Sequence, residues 1–290
     1  MKSFTHYASK GFEKEILFAN EREFIAGMNR IAVCIALCIA AGRSVNIIAF
    51  CLMDNHFHFI LYGEREDCDM FVRNYAKLTA MWVAQHREHP LMEKIETGYW
   101  FISPDKLGQK IVYLYRNPVV AGLRVIPQGY RWSSAFLVFS DNDWMTSSAK
   151  RFADISLREQ HRITSSHTDL PKDWLVLQNG MIWPGCYTAT SYAEKQFPTI
   201  QAFLFELNNR KNDQETEEEM ARESFSLPDS DVKFRATQLS MEYFRKTSIM
   251  QCSATERLSL ARLLRQELKC NSKQLARVLH LQREELSRLV

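Results

Sequence analysis

The chain has 290 residues, 46% of them apolar and 24% charged, and a formal net charge of +3. This composition describes a globular protein of one large or two modest domains with little room for extended disorder. It excludes a bulk polyanion-binding surface, so any nucleic-acid contact must be a local patch.

Residues 4–9 alternate as a strand, and 11–20 read as the loop leaving it. Residues 21–41 carry Phe24, Ile25, Met28, Ile31, Ile35 and Cys38 at helical spacing, and Gly42 closes the helix. Cys34 and Cys38 lie one turn apart in an apolar run. With seven cysteines and no CxxC pair, they suggest buried thiols in a reducing compartment instead of a disulfide frame or a zinc site. The most apolar run, 31–41, is too short to span a bilayer, and the N-terminus lacks the order of a signal peptide. A cytoplasmic location without a membrane partner is expected.

Residues 45–53 read as a buried strand, Asp54 and Asn55 as a turn, and 56–62 as the next strand. Alternation there puts His56 and His58 on one face and Phe57 on the other. Two imidazoles so placed can bind one divalent metal together, but a packed strand with two half-buried histidines has the same pattern. A second helix is predicted over 67–86, with Phe71, Tyr75, Leu78 and Trp82 inward and Arg73 and Lys77 beside them. The order strand, helix, strand, strand, helix points to an α+β fold with helices packed on an antiparallel sheet.

A third helix is predicted over 104–117: Pro104 suits its first turn and Pro118 is expected to end it. Leu107, Ile111 and Leu114 form its apolar stripe. Lys106, Lys110, Tyr113 and Asn117 form a second stripe at spacings of four, three and four. By itself that stripe is a solvated face with an aromatic edge. Beside a two-histidine metal site, Tyr113 becomes a phenolic nucleophile, Asn117 an oxygen ligand, and Lys110 or Lys106 a phosphate contact. A tyrosine ionises near pH ~10, so such a nucleophile needs a nearby cation. Tyr115 faces elsewhere and reads as packing.

Residues 141–160 and 174–190 contain Trp144, Trp174, Trp183 and Tyr187, read as core anchors of irregular structure ahead of base-stacking platforms. Residues 192–209 read as one helix. The acidic stretch 212–231 reads as a solvated helix end or linker. Helices are predicted at 255–268, 272–279 and 283–290. There Leu275, Ala276, Leu279, Leu281, Leu286 and Leu289 take the apolar positions of a helix-turn-helix, and His280 stands where Gly is usual. Arg277 and Arg283 belong to a local basic surplus suited to DNA, although Glu284 and Glu285 lie where base contacts would be made. A plain three-helix packing module therefore stays open. The expected domains are 1–137, 138–232 and 233–290.

LMDNHFHFIL, then VYLYRNPVVAGL, then YRWSS at 130–134 resembles, in that order and spacing, the single-tyrosine HUH transposases of bacterial insertion sequences. The YRWSS element and the extra C-terminal region look most like the REP-associated tyrosine transposase branch. The resemblance covers about residues 1–137 and implies a ferredoxin- or RRM-like catalytic domain. It implies His56 and His58 as metal ligands, Asn117 as the third, Tyr113 as nucleophile, and Mg²⁺ or Mn²⁺ as the cation. The implied reaction is endonucleolytic nicking of single-stranded DNA near hairpins, with strand transfer through a 5′-phosphotyrosine and no nucleotide cofactor. A nucleoid-associated protein is implied, as a self-contained monomer or a homodimer that exchanges tyrosines. Two other readings stay open: a domesticated relative that holds hairpin DNA or RNA without cutting, and a metal-dependent hydrolase with the tyrosine as bystander. The sequence departs from the family at Asp54, where Pro is usual, and at Val120, where a basic residue is common. The Arg-Phe often found before the catalytic helix is absent from 96–103.

Overall fold

The computed structural model describes residues 1–10, 16–92, 94–121, 123, 126–141, 143–209, 229–268, 270, 272–282 and 286. Two compact units divide the chain, 1–210 and 211–290.

The first unit is built on a four-stranded antiparallel sheet of β1 (Ser3–Ser9), β2 (Val45–Leu52), β3 (Phe57–Gly63) and β4 (Thr97–Ile102), in the order β2-β3-β1-β4. Register sets Ala8 opposite His58, and His6 opposite both Ile60 and Trp100. Because side chains alternate, His6, His58 and Trp100 share one face while Tyr7, Phe57 and Phe59 share the other. The second face carries α1 (Glu21–Ala40) and α2 (Arg65–His86), with Phe59 packed edge-on against Phe71 and Tyr75. The first face carries α3 (Leu107–Val120), whose Tyr113 ring meets His6 and His58. Asn20 caps α1 by accepting from Glu23 N, and Gly42 follows its end at φ +66°. By length and composition α1 could cross a membrane, but most of its apolar window is buried inside the fold.

Three features depart from the predictions. The strand β4 was not anticipated: TGYWFI does alternate, but as an edge strand it exposes Tyr99 and Phe101 and so lacks a buried run. Pro118 does not end α3, which continues to Val120. The helix predicted over 192–209 is two, Thr190–Glu194 and Ile200–Asn208. Pro198 lacks the N–H that a continuous helix needs, and Thr199 caps the new one by accepting from Ala202 N.

The first unit's core also reaches beyond residue 137. Trp174, Val176, Met181, Ile182 and Tyr187 belong to the cluster that contains Met28, Ile31 and Phe50. Asn29 of α1 fastens this segment, donating to Ile163 O and Gly180 O and accepting from Ile182 N. Trp144, by contrast, is exposed.

A polar anchor fixes the approach to α1. Arg87 bonds Glu23 and the Ile16 and Leu17 carbonyls, while Glu23 accepts from Ala19 N. Burial pushes the Glu23 carboxyl up, but Arg87 and the Ala19 N–H outweigh it, so the net shift is downward. A lowered carboxylate stabilises the fold above its unfolded pKa of ~4.3 and loses that contribution as pH falls through the folded value. Glu23→Gln is accordingly expected to destabilise the chain at pH 7 by roughly 1–3 kcal/mol and to flatten its acid limb, measured by urea melts across pH.

In the second unit, helices Asp229–Phe244, Ala254–Leu268 and Ser272–Leu279 close on Val232, Leu239, Leu260, Leu264, Leu275 and Leu279. The helix predicted at 283–290, and with it Leu289, and most of the acidic stretch 212–231 lie outside the described residues. His280 follows the Ser272–Leu279 helix at φ +53°, a conformation that favours Gly. His280→Gly should stabilise this unit by about 0.5 kcal/mol, read from its denaturation midpoint.

Candidate active site

The geometry begins with Pro118. In an α-helix the N–H of residue 118 bonds the carbonyl of Leu114, and proline has none to give. Asn117 supplies the replacement: its Nδ2 donates to Leu114 O at 3.2 Å and to Tyr113 O at 3.1 Å. This lets α3 run through the proline, and it also fixes the amide. With Nδ2 turned to the helix, Oδ1 is the amide atom turned away from those carbonyls.

Asn117 Oδ1 and His58 Nε2 are both buried, and neither forms a hydrogen bond of normal geometry. The Asn117 side chain nevertheless pulls the His58 imidazole toward its protonated form. Burial dominates that imidazole: it holds His58 well below the usual histidine range, assisted by His56 and His6 against the pull of Asn117. His58 is therefore neutral near pH 7, as a metal ligand must be. The His56 and His58 ring centroids lie 4.8 Å apart. Asn55 Oδ1 sits 2.7 Å from His56 Nδ1, so that nitrogen carries the proton.

Tyr113 completes the group from α3. Its ring centroid lies 6.3 Å from that of His58 and 5.9 Å from that of His6, edge-on to both. The Lys110 ammonium sits 5.1 Å over the phenol ring, one turn earlier on the same helix. The cluster is closed: Tyr113 is 3% exposed, His58 5% and Asn117 0%, whereas His56 is half-buried. Tyr113 and Asn117 thus leave the solvated face that the polar stripe alone permitted.

His6 was not singled out in the sequence. Its Nε2 lies 3.0 Å from His58 Nδ1, and its ring lies between those of His58 and Trp100, at centroid distances of 5.2 and 5.5 Å. Alternation in β1 gives its parity, but the partner depends on the β1–β3 register, which the sequence does not encode locally.

The proposed DNA contacts are spread more widely. Lys106 is exposed at the start of α3. Arg73 and Lys77 are exposed on α2, which packs on the opposite sheet face from Tyr113. Arg277 is exposed in the second unit, and Arg283 lies outside the described residues. Asp54 has an exposed side chain, and its carbonyl accepts from Leu17 N and Phe18 N.

The segment 130–134 serves β2. Ser134 Oγ accepts from Phe50 N and lies 3.1 Å from the Tyr115 hydroxyl; Tyr130 donates to Leu52 O, and Leu52 N donates to Trp132 O. Burial raises the Tyr115 phenol, which keeps it a neutral packing group.

No protein-family model matches the chain, and no curated protein does. A solved structure of a REP-associated tyrosine transposase bound to a REP hairpin is similar at 16% identity, over 59% of this chain and 84% of that one, with a TM-score of 0.35. Likeness at that level assigns neither a site nor an activity.

The chemistry of these side chains bears on whether they could hold a divalent cation. Among the described residues no three His, Cys, Asp or Glu side chains gather as a metal-binding group. A third donor must therefore come from another residue type, and Asn117, whose buried side chain acts on His58, offers its Oδ1. With His56 the set is two imidazole nitrogens and one oxygen, which suits a divalent cation.

Proposed function

We propose that the first unit is a metal-dependent transposase-type endonuclease and strand transferase, acting on single-stranded DNA beside hairpins through Tyr113. The observation that carries this reading is the convergence, within one chain, of Tyr113 and Asn117 from α3 on His58 of the sheet, with His56 just before β3 beside it. That convergence also supports a site complete in one subunit.

In the proposed reaction the Tyr113 oxygen attacks phosphorus, the P–O3′ bond breaks, and the products are a 5′-phosphotyrosine and a free 3′-hydroxyl. The covalent link conserves the bond energy, so a second strand end can reverse the step. Lys110, already over the phenol ring, favours the phenolate. Lys106, exposed at the helix start, is placed to meet backbone phosphate. His56, His58 and Asn117 would hold Mg²⁺ or Mn²⁺, whose role when bound is to withdraw charge from the phosphate oxygens. Because Tyr113 is buried, DNA must displace the side chains over it before attack.

That burial favours a second reading, a protein that binds hairpin DNA or RNA without cutting. In either case the basic C-terminal helices are proposed to contact DNA or a second copy. Incubation with hairpin-flanked single-stranded DNA and Mn²⁺ separates the readings. A covalent protein–DNA band that disappears with EDTA supports the enzyme; retention of the hairpin with no band under Mg²⁺, Mn²⁺ or Zn²⁺ supports the binder.

A further inference from the structure

We propose that the packed faces of α1 and α2 hold a small monovalent anion, of the class of chloride, on Arg30, Tyr75 and Thr79. The site lies on the opposite sheet face from Tyr113 and is independent of the chemistry proposed there.

Tyr75, Thr79 and Trp82 follow one another at spacings of four and three, so they share one face of α2. That face meets α1: the Arg30 guanidinium sits over the Trp82 ring, 5.9 Å from its centroid. Phe57 and Phe59 hold the Tyr75 ring edge-on from the sheet, at centroid distances of 4.8 and 4.9 Å. Arg30 Nη1 donates to Ala26 O at 3.2 Å, but Arg30 Nη2, the Tyr75 hydroxyl and Thr79 Oγ1 are buried with no hydrogen-bond partner. Orphaned polar atoms are rare inside proteins, and here three belong to two facing helices. Burial raises the Tyr75 phenol while Thr79 and the Arg30 charge pull it down, as expected of neighbours.

The charge at this interface needs a partner. Burial lowers the Arg30 guanidinium to about 10, which leaves it cationic at pH 7. Among the described residues no carboxylate bonds it. Glu23, two turns earlier on α1, is committed to Arg87 and Ala19 N. Cys34 and Tyr75 supply no negative charge, because burial raises both groups and keeps them neutral. A buried cation without a counter-charge is costly, and so is each unpaired donor. Water would satisfy the hydroxyls and leave the charge. A monovalent anion does both, since the guanidinium and the two hydroxyls can all donate and a halide only accepts. Arg30 is 3% exposed, Thr79 2% and Tyr75 0%, and so closed a site suits a single-atom ion better than an oxyanion.

An anion held only by the folded chain stabilises it by mass action. The test is urea unfolding of the full chain in sodium chloride against sodium gluconate at equal ionic strength. In wild type the unfolding constant should fall by up to about tenfold for each tenfold rise in chloride, once the site begins to fill. Tyr75→Phe and Thr79→Val, which delete one donor each and keep the shape, should weaken the apparent chloride affinity by about tenfold. Arg30→Met should remove the dependence. Crystals of wild type grown with bromide give a reading that needs no variant: an anomalous peak between Arg30 Nη2, the Tyr75 hydroxyl and Thr79 Oγ1 supports the site. Density there without anomalous signal is water and overturns the proposal. So does a wild-type stability indifferent to chloride, or a chloride dependence unchanged in folded Arg30→Met.

Discussion

Tyr113→Phe is expected to abolish the covalent protein–DNA adduct, a loss of at least about 1000-fold, while leaving the fold in place. The phenyl ring keeps the edge-on contacts with His6 and His58, so the melting transition should shift by no more than about 1 kcal/mol. Binding of hairpin DNA should persist, because the Lys106 and Lys110 ammonium groups are untouched. Denaturing gel electrophoresis reads the adduct and filter binding reads the complex. Nicking that survives the substitution would mean that water, not the phenol, attacks phosphorus, and would convert the site into that of a metal-dependent hydrolase.

Asn117→Ala should cost both activity and stability, and the two losses can be separated. Removing the amide deletes Oδ1 from the site and leaves the Leu114 carbonyl without the donor that Asn117 supplied, at about 1–3 kcal/mol. Pro118→Ala returns a backbone N–H to that carbonyl. In a double-mutant cycle Asn117→Ala should therefore cost less stability in the Pro118→Ala background than in wild type. Adduct formation should not recover in the double variant, since no backbone group replaces Oδ1. Equal cost in both backgrounds would refute the compensation, and recovery of the adduct would remove Asn117 from the site.

These expectations also mark what the sequence made legible. The helices α1 and α2 and the strands β1 to β3 have periodic apolar residues and clear stop signals, so they could be read directly. The grouping of Tyr113 with Asn117 followed from helical spacing alone. Their burial did not, because spacing gives a face but not what covers it. Pro118 misled for a related reason: the rule that proline ends a helix assumes an unsatisfied carbonyl, and here the preceding side chain satisfies it. His6 was invisible because its role is set by pairing across 52 residues, and β4 because an edge strand need not be apolar. The segment 174–187 looked irregular and is so, yet irregular backbone can still fill a core.

The coverage of β2 has a consequence for how molecules meet. Residues 132–134 bond along its outer side and Ala189 N bonds Ile47 O, whereas among the described residues no strand pairs with the outer side of β4. A sheet capped on one flank, and with no described strand on the other, can be extended only on the β4 side. Two molecules meeting along β4 would each leave the capped β2 flank outward, which favours a finite pair over an open-ended fibril.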